Sequence, residues 1–156
     1  MGSRKMNVDA AIKEGQNSFS VGLVLRDDKG QYIAGKTRHF SGSVQVVEPE
    51  TISILEGMLW LEDLPTGPII IECDSLLNVN AINKICLNFL ELGHLVQHCK
   101  NIINSREGVL LVFARKHANK VAHLLAKYPC ELKSFVINLS PPSCLLETLL
   151  SDALMI

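Results

Sequence analysis

The spacing of apolar residues changes period several times along this chain. Over Lys5–Ala11 it alternates, with Met6, Val8 and Ala10 on one side and Asn7, Asp9 and Ala11 on the other, which predicts a strand. Phe19–Leu25 and Gln31–Phe40 read as two more strands. They are joined by Asp27-Asp28-Lys29-Gly30, a hairpin turn in which Gly30 can take a positive φ. Ile12–Asn17 and Ser41–Val47 read as loops, and three consecutive strands predict an antiparallel meander.

Helical spacing then takes over. Glu48-Pro49-Glu50 has the proline and the acids suited to a first turn. Ile52, Leu55, Met58 and Leu59 form an apolar stripe behind it. Ser53 and Gly57, one turn apart, predict a close approach to a sheet. Trp60 and Leu61 end the helix before Pro65-Thr66-Gly67-Pro68. Ile69–Cys73 begins with three isoleucines, the mark of a strand buried on both faces. Leu76, Val79 and Ile82 follow at helical spacing, with Ser75 a suitable N-cap. Ile85–Ile103 is a further helical stretch with a break at Gly93; Leu87, Leu90, Leu95, Val96, Ile102 and Ile103 are its core candidates. Val109–Phe113 is a fifth strand, Ala114–Ala118 a basic loop, and Asn119–Tyr128 a helix that buries Val121, Leu124 and Leu125. The order is β-β-β-α-β-α-β-α. A tail follows with Phe135–Leu139, a Pro141-Pro142 break and the amphipathic piece Cys144–Leu150. The fold class is therefore α/β.

Composition narrows the reading without choosing a function. At 156 residues, 47% hydrophobic and 20% charged, the chain fits one globular domain over 1–156, with a core at about 5–128 and a tail at 129–156. A net charge of -1 gives no global field toward nucleic acid or anionic lipid, so any such binding needs a local patch. No run approaches the roughly 20 apolar residues of a membrane span, and no membrane partner is expected. MGSRKMNVDA has no signal-peptide core. Five cysteines without a CxxC pair suggest buried thiols in a reducing compartment. An intracellular location is expected, nucleus or cytoplasm left open, and a monomer.

Three carboxylates stand at element ends: Asp9 on the first strand, Glu50 in the first turn of a helix and Asp74 after the central strand. Each has an ordinary explanation. Asp9 could be a charge on a solvent face, Glu50 could offset the helix dipole, and Asp74 could help Ser75 to cap. If the first and fourth strands pair in parallel, the three instead share one site. Clustered carboxylates repel, and a hard cation among them relieves that. Oxygen ligands suit magnesium or manganese, and two such ions can polarise a phosphodiester and stabilise its leaving oxygen. His94 and His98 stand at i,i+4 beside Cys99, a spacing that can bind zinc, but no further ligand is near and a solvated helix face explains them.

KMNVDAA, SVGLVLRDDKGQYIAG, EPETISILEGMLW, IIIECDSLLNVNAIN and VFARKHANKVAHLLA, in that order, resemble the ribonuclease H-like domain in its type 1 form, as it occurs in plant proteins related to retroelement reverse transcriptases. The tail SPPSCLLETLLSD is similar to the family's carboxyl end. The resemblance implies a mixed five-stranded sheet flanked by helices. It also implies a hydrolase, a metal-dependent endonuclease that cuts the RNA strand of RNA–DNA hybrids with two magnesium or manganese ions. Asp9, Glu50 and Asp74 match the family's first three acids, Glu50 being chosen over Glu48 and Glu56 by its spacing ahead of LEG. The fourth acid of active members falls four residues after an asparagine; here the asparagine is Asn119 and the matching residue is His123. Neutral imidazole can still ligate a metal, so His123 stands with the three acids as a catalytic and metal-ligand candidate. His117 lies where bacterial members carry a mobile histidine, or is a solvated loop residue.

Arg115, Lys116, His117, Asn119 and Lys120 are the candidates for binding nucleic acid, with Arg106 a possible extension of the basic cluster. An A-form duplex is read by shape, phosphates and 2′-hydroxyls, so such a patch suffices for weak, salt-dependent binding. Two alternatives stand beside the enzyme: a nucleic-acid-binding domain that has lost turnover through His123, and a protein-interaction module on the same fold.

Overall fold

The computed structural model describes residues 2–13, 15, 17–42, 48–84, 93–128 and 135–154. Strands β1 (Arg4–Lys13), β2 (Ser18–Arg26) and β3 (Tyr32–Ser41) form the antiparallel meander. Helix α1 (Pro49–Trp60) crosses to β4 (Ile69–Cys73), then α2 (Leu76–Asn83), α3 (Gly93–Ser105), β5 (Val109–Phe113), α4 (Lys120–Ala126), β6 (Phe135–Asn138) and α5 (Ser143–Leu154) follow. The sheet order is β5-β4-β1-β2-β3-β6, with β4 parallel to both β1 and β5.

The sheet therefore has six strands where five are expected. The sixth is Phe135–Asn138 of the tail, which pairs antiparallel with β3 from Gly35↔Asn138 to Arg38↔Phe135 and occupies what would otherwise be an open edge. β1 also runs further than its alternation predicts, because Ile12 and Lys13 pair with Phe19 and Ser18. Gly30 turns the hairpin at φ +79°, and Asp27 Oδ1 accepts the amides of Lys29 and Gln31. The expected stretch 85–92 ahead of α3 lies outside the described residues, with Leu87, Leu90 and Cys86; so does Cys130.

One sheet face packs on α1 and α3. Met6, Val8, Leu23, Leu25, Ile54, Met58, Ile69 and Ile71 are almost wholly enclosed there, each contributing about 1.5–3 kcal/mol relative to exposure. Ile54 holds the core position expected of Ile52. Glu56 is also buried on this side, ion-paired with Arg38 at 2.6 Å. The other face carries α4 and α5 over Val24, with Val121, Ala122, Leu125 and Leu145 enclosed. That layer covers β1 to β3 and stops short of β4 and β5. Ile70 and Glu72 are thus only half-buried and Leu110 is exposed, so β4 is enclosed on one face rather than two. Cys73 and Cys99 are buried as expected, whereas Cys144 is exposed on α5.

Two glycines set the layer spacing. At Gly57 a Cβ would lie 2.9 Å from Val8 Cγ1 and 3.2 Å from Met6 Sδ, so α1 rides close on β1, as its small residues predict. At Gly22, opposite Asp9 in the β1–β2 register, a Cβ would lie 2.2 Å from both the Ala122 carbonyl oxygen and the Ala126 nitrogen. These are backbone atoms and cannot turn aside, so α4 must lift. Gly22→Ala is expected to destabilise the protein by about 1–3 kcal/mol, and Gly57→Ala, which meets side chains, by less. Urea denaturation of the two variants checks this order.

Candidate active site

The parallel β1–β4 register runs from Arg4↔Ile69 to Val8↔Cys73. Asp9 follows on β1 and Asp74 is the first residue past the end of β4, so the two carboxylates stand at neighbouring positions beyond the last parallel pair. α1 brings Glu50 to them through a set of hydrogen bonds between helix starts. Thr51 Oγ1 donates to Asn78 Oδ1 at 2.7 Å. Asn78 Nδ2 donates to Glu48 Oε1 at 2.9 Å and to Ser75 Oγ at 2.7 Å. Ser75 Oγ also accepts the Asn78 amide, so Ser75 supplies the helix cap and Asp74 does not. The Asp74 carboxylate is left facing the site.

Asp9, Glu50 and Asp74 line one cavity. Ligand atoms of Glu50, Asp74 and Cys73 lie within 4.8 Å of one another. Burial, then the charges of Asp9, Asp74 and Glu48, push Glu50 up to about 8, against a lowering by Lys116. Its Oε2 is buried with no hydrogen-bond partner. Asp9 is enclosed, not on a solvent face; burial first and the charge of Asp74 second raise its pKa, while the His123 and Ala10 hydrogen bonds lower it. Burial raises the Cys73 thiol to about 12, which keeps it neutral and a poor ligand for a hard cation.

The residues present fit a divalent cation. Glu50 and Asp9 are both raised by burial and by neighbouring carboxylates, and the buried Glu50 Oε2 has no hydrogen-bond partner, a donor set that suits a hard divalent cation. His94 and His98 are exposed on α3 and belong to no metal-binding cluster among the described residues, in keeping with a solvated face.

His123 Nδ1 lies 2.8 Å from Asp9 Oδ2, so the residue expected at the fourth position faces Asp9. With Asp9 ionised, its carboxylate accepts and Nδ1–H is the donor; in the neutral imidazole that leaves Nε2 as the acceptor. The imidazole is 47% exposed against 6% for the Asp9 side chain, so solvent can reach it.

Lys116, His117 and Lys120 are exposed and line the same cavity, and Arg115 is exposed next to them. Two basic-patch expectations change. Asn119 is 1% exposed, and its amide is committed to Asn7 and to the Val8 carbonyl, so it pins α4 to β1 and is not presented to nucleic acid. Arg106 donates to the carbonyls of Leu61 and Pro65 beyond the amino end of β5, away from the cluster. The positioning residues Asn7, Thr51 and Asn78 were missed. Of the three only Asn7, set between the core residues Met6 and Val8, leaves a trace in the sequence as a polar residue in an apolar setting.

Comparison with known proteins adds the decisive observation: the reverse transcriptase-like family matches residues 7–129. The chain belongs to that family, and its domain is ribonuclease H-like. No curated protein sequence matches it. Among solved structures, the RNase H1 of the halophilic archaeon Halobacterium salinarum superposes with a TM-score of 0.70 at 16% identity, over 81% of this chain and 96% of that one. LC11-RNase H1, isolated from compost, gives 0.71 at 16% identity, over 81% and 94%. Its complex with an RNA/DNA hybrid gives 0.66 at 15% identity, over 80% and 94%. At these identities the likeness to this ribonuclease H-like domain is one of fold. Among the described residues no helix is long and apolar enough to cross a membrane.

The raised Glu50 sets a pH dependence. Between its ordinary value of 4.5 and about 8, the folded metal-free protein holds a proton that the unfolded chain releases. Stability therefore falls as pH rises through that interval, and Asp9, also raised, acts in the same sense. Thermal melts in chelator are expected to show the melting temperature declining from pH 5 to pH 8. Glu50→Gln should flatten that decline and raise the pH 8 value. A profile equally steep in the variant would place the titrating group elsewhere.

Proposed function

We propose that this domain is a metal-dependent endonuclease that hydrolyses the RNA strand of RNA–DNA hybrids. The observation that carries the reading is the buried, unpartnered Glu50 Oε2 among the carboxylates of Asp9 and Asp74. Carboxylates so placed repel one another, and a cation among them would relieve that repulsion. Asp9, Glu50 and Asp74 would hold magnesium or manganese, with His123 as a fourth ligand through Nε2. Two ions bound there would supply Lewis acidity for phosphodiester hydrolysis.

The chain's own groups do the rest. Lys116 and Lys120 attract and orient the phosphate backbone from one rim of the cavity, with Arg115 behind them. His117, on the same rim, is exposed and free to follow the leaving strand. The Thr51–Asn78–Ser75 hydrogen bonds keep Glu50 at fixed distance from Asp74 before any ligand arrives. A hybrid is the preferred substrate because a patch of few cations reads backbone shape and 2′-hydroxyls without base-specific contacts. In this reading the unit acts as a single domain and a monomer.

A second reading, nucleic-acid binding without turnover, is favoured by one contact. The His123–Asp9 hydrogen bond occupies an oxygen that a metal would use. Cleavage of a labelled hybrid with magnesium separates the two, with Asp74→Asn as control. Asp74→Asn is expected to lower the cleavage rate at least a hundredfold and to raise the melting temperature in chelator by about 2–4 °C for each kcal/mol of repulsion relieved. A lower melting temperature in chelator would mark Asp74 as a structural residue.

His123→Asp tests the fourth position. An aspartate adds a negative charge beside Asp9 and removes the imidazole's hydrogen bond. The variant is expected to be less stable in chelator but to reach half-maximal cleavage at a lower magnesium concentration. Manganese, which accepts imidazole more readily than magnesium, should support the unmodified protein better. Titrations of cleavage rate against each metal for the two proteins measure both effects. An unchanged metal dependence would remove His123 from the ligand set.

A further inference from the structure

The cavity at the acidic site has a volume of about 770 Å3. Two divalent ions about 4 Å apart occupy a small part of that. The remaining wall is not acidic: beyond Lys120 it includes Leu124 of α4 and Thr148 of α5. α5 is fixed on both sides of Thr148. Leu145 is fully buried with Val24, Val121, Ala122 and Leu125, and Leu149 packs against the same cluster. Further along, Asp152 accepts from Arg26 at 3.0 Å. Of this wall, Leu124 lies within residues 7–129, the part of the chain that carries the family match, and Thr148 lies beyond it.

A phosphate backbone is served by Lys116 and Lys120 and gains little from an apolar wall. The flat face of a nucleobase does gain from one, and Thr148 adds a hydroxyl that can donate to or accept from the base edge. In an uninterrupted duplex the bases are paired and stacked inside, out of reach of such a wall.

We propose that the part of the cavity lined by Leu124 and Thr148 is a subsite for one unpaired nucleotide of the strand whose phosphate lies at the acidic site, with its own phosphate at Lys120 and its base against Leu124 and Thr148. The proposal rests on the nuclease reading above and narrows its substrate: a hybrid with an unpaired RNA nucleotide at or beside the cut is favoured over a continuous one.

The test is fluorescence anisotropy in chelator, where turnover stops, comparing a blunt RNA–DNA hybrid with the same hybrid carrying a one-nucleotide RNA overhang. The overhang is expected to bind about tenfold more tightly, equivalent to about 1.4 kcal/mol. Thr148→Glu, which sets a carboxylate where the base would lie, is expected to reduce the overhang-to-blunt ratio to one. Should that variant fail to fold, titration of the unmodified protein with uridine 5′-monophosphate should shift the NMR methyl signals of Thr148 and Leu124. Equal affinity of the unmodified protein for both hybrids, or a preference that survives Thr148→Glu, overturns the subsite and leaves the nuclease reading standing. Failure to bind either hybrid overturns both.

Discussion

The parallel pairing of β1 with β4 is the constraint on which the site depends. With Val8 opposite Cys73, the next residues are two aspartates that would repel each other anywhere in a desolvated cleft. What holds them together is the apolar packing beneath. Met6 and Val8 on β1 and Ile69, Ile71 and Cys73 on β4 are wholly enclosed against α1 and α3. A slip of one residue would turn those side chains outward. The hydrophobic core thus fixes the register, and the register forces the carboxylates together.

Glu50 is held by a different kind of bond. Its helix starts with Pro49, and the Glu48 side chain makes no cap for that helix; it accepts instead from Asn78 at the start of α2. Two helix starts are thereby joined through one buried asparagine. The energetic consequence is local strain of an electrostatic kind: Glu50 is pushed up to about 8 and Asp9 is raised as well. Rigid surroundings keep the acids from separating to relieve their repulsion, so only protonation or a cation can do it.

α4 completes the arrangement from the opposite face. Asn119 fastens its start to β1, Gly22 lets its backbone settle on β2, and Thr37 donates to the Leu125 carbonyl at 2.7 Å. Together they place His123 over Asp9. The same helix presents Lys120 and Leu124 to the cavity, so a short element of seven residues links the acidic centre, the basic rim and the wall made by α5.

The sequence by itself determined the elements and their order. Ile69–Cys73 and Val109–Phe113 are short runs rich in β-branched and apolar residues between turn signals, and both strands were legible to the residue. Asp9, Glu50 and Asp74 were legible as carboxylates at element ends, and motif order joined them into one site. The tertiary structure decided what depends on partners distant in sequence. Phe135–Asn138 became a strand because β3 offered it an edge. β4 lost half its expected burial because α4 stops at β1. Asn119, polar and placed in a basic stretch, was drawn inside by Asn7 and the Val8 carbonyl. Period and propensity are properties of a local stretch, whereas burial and hydrogen bonding are settled by what the fold brings opposite, and a single sequence does not encode that in any one place.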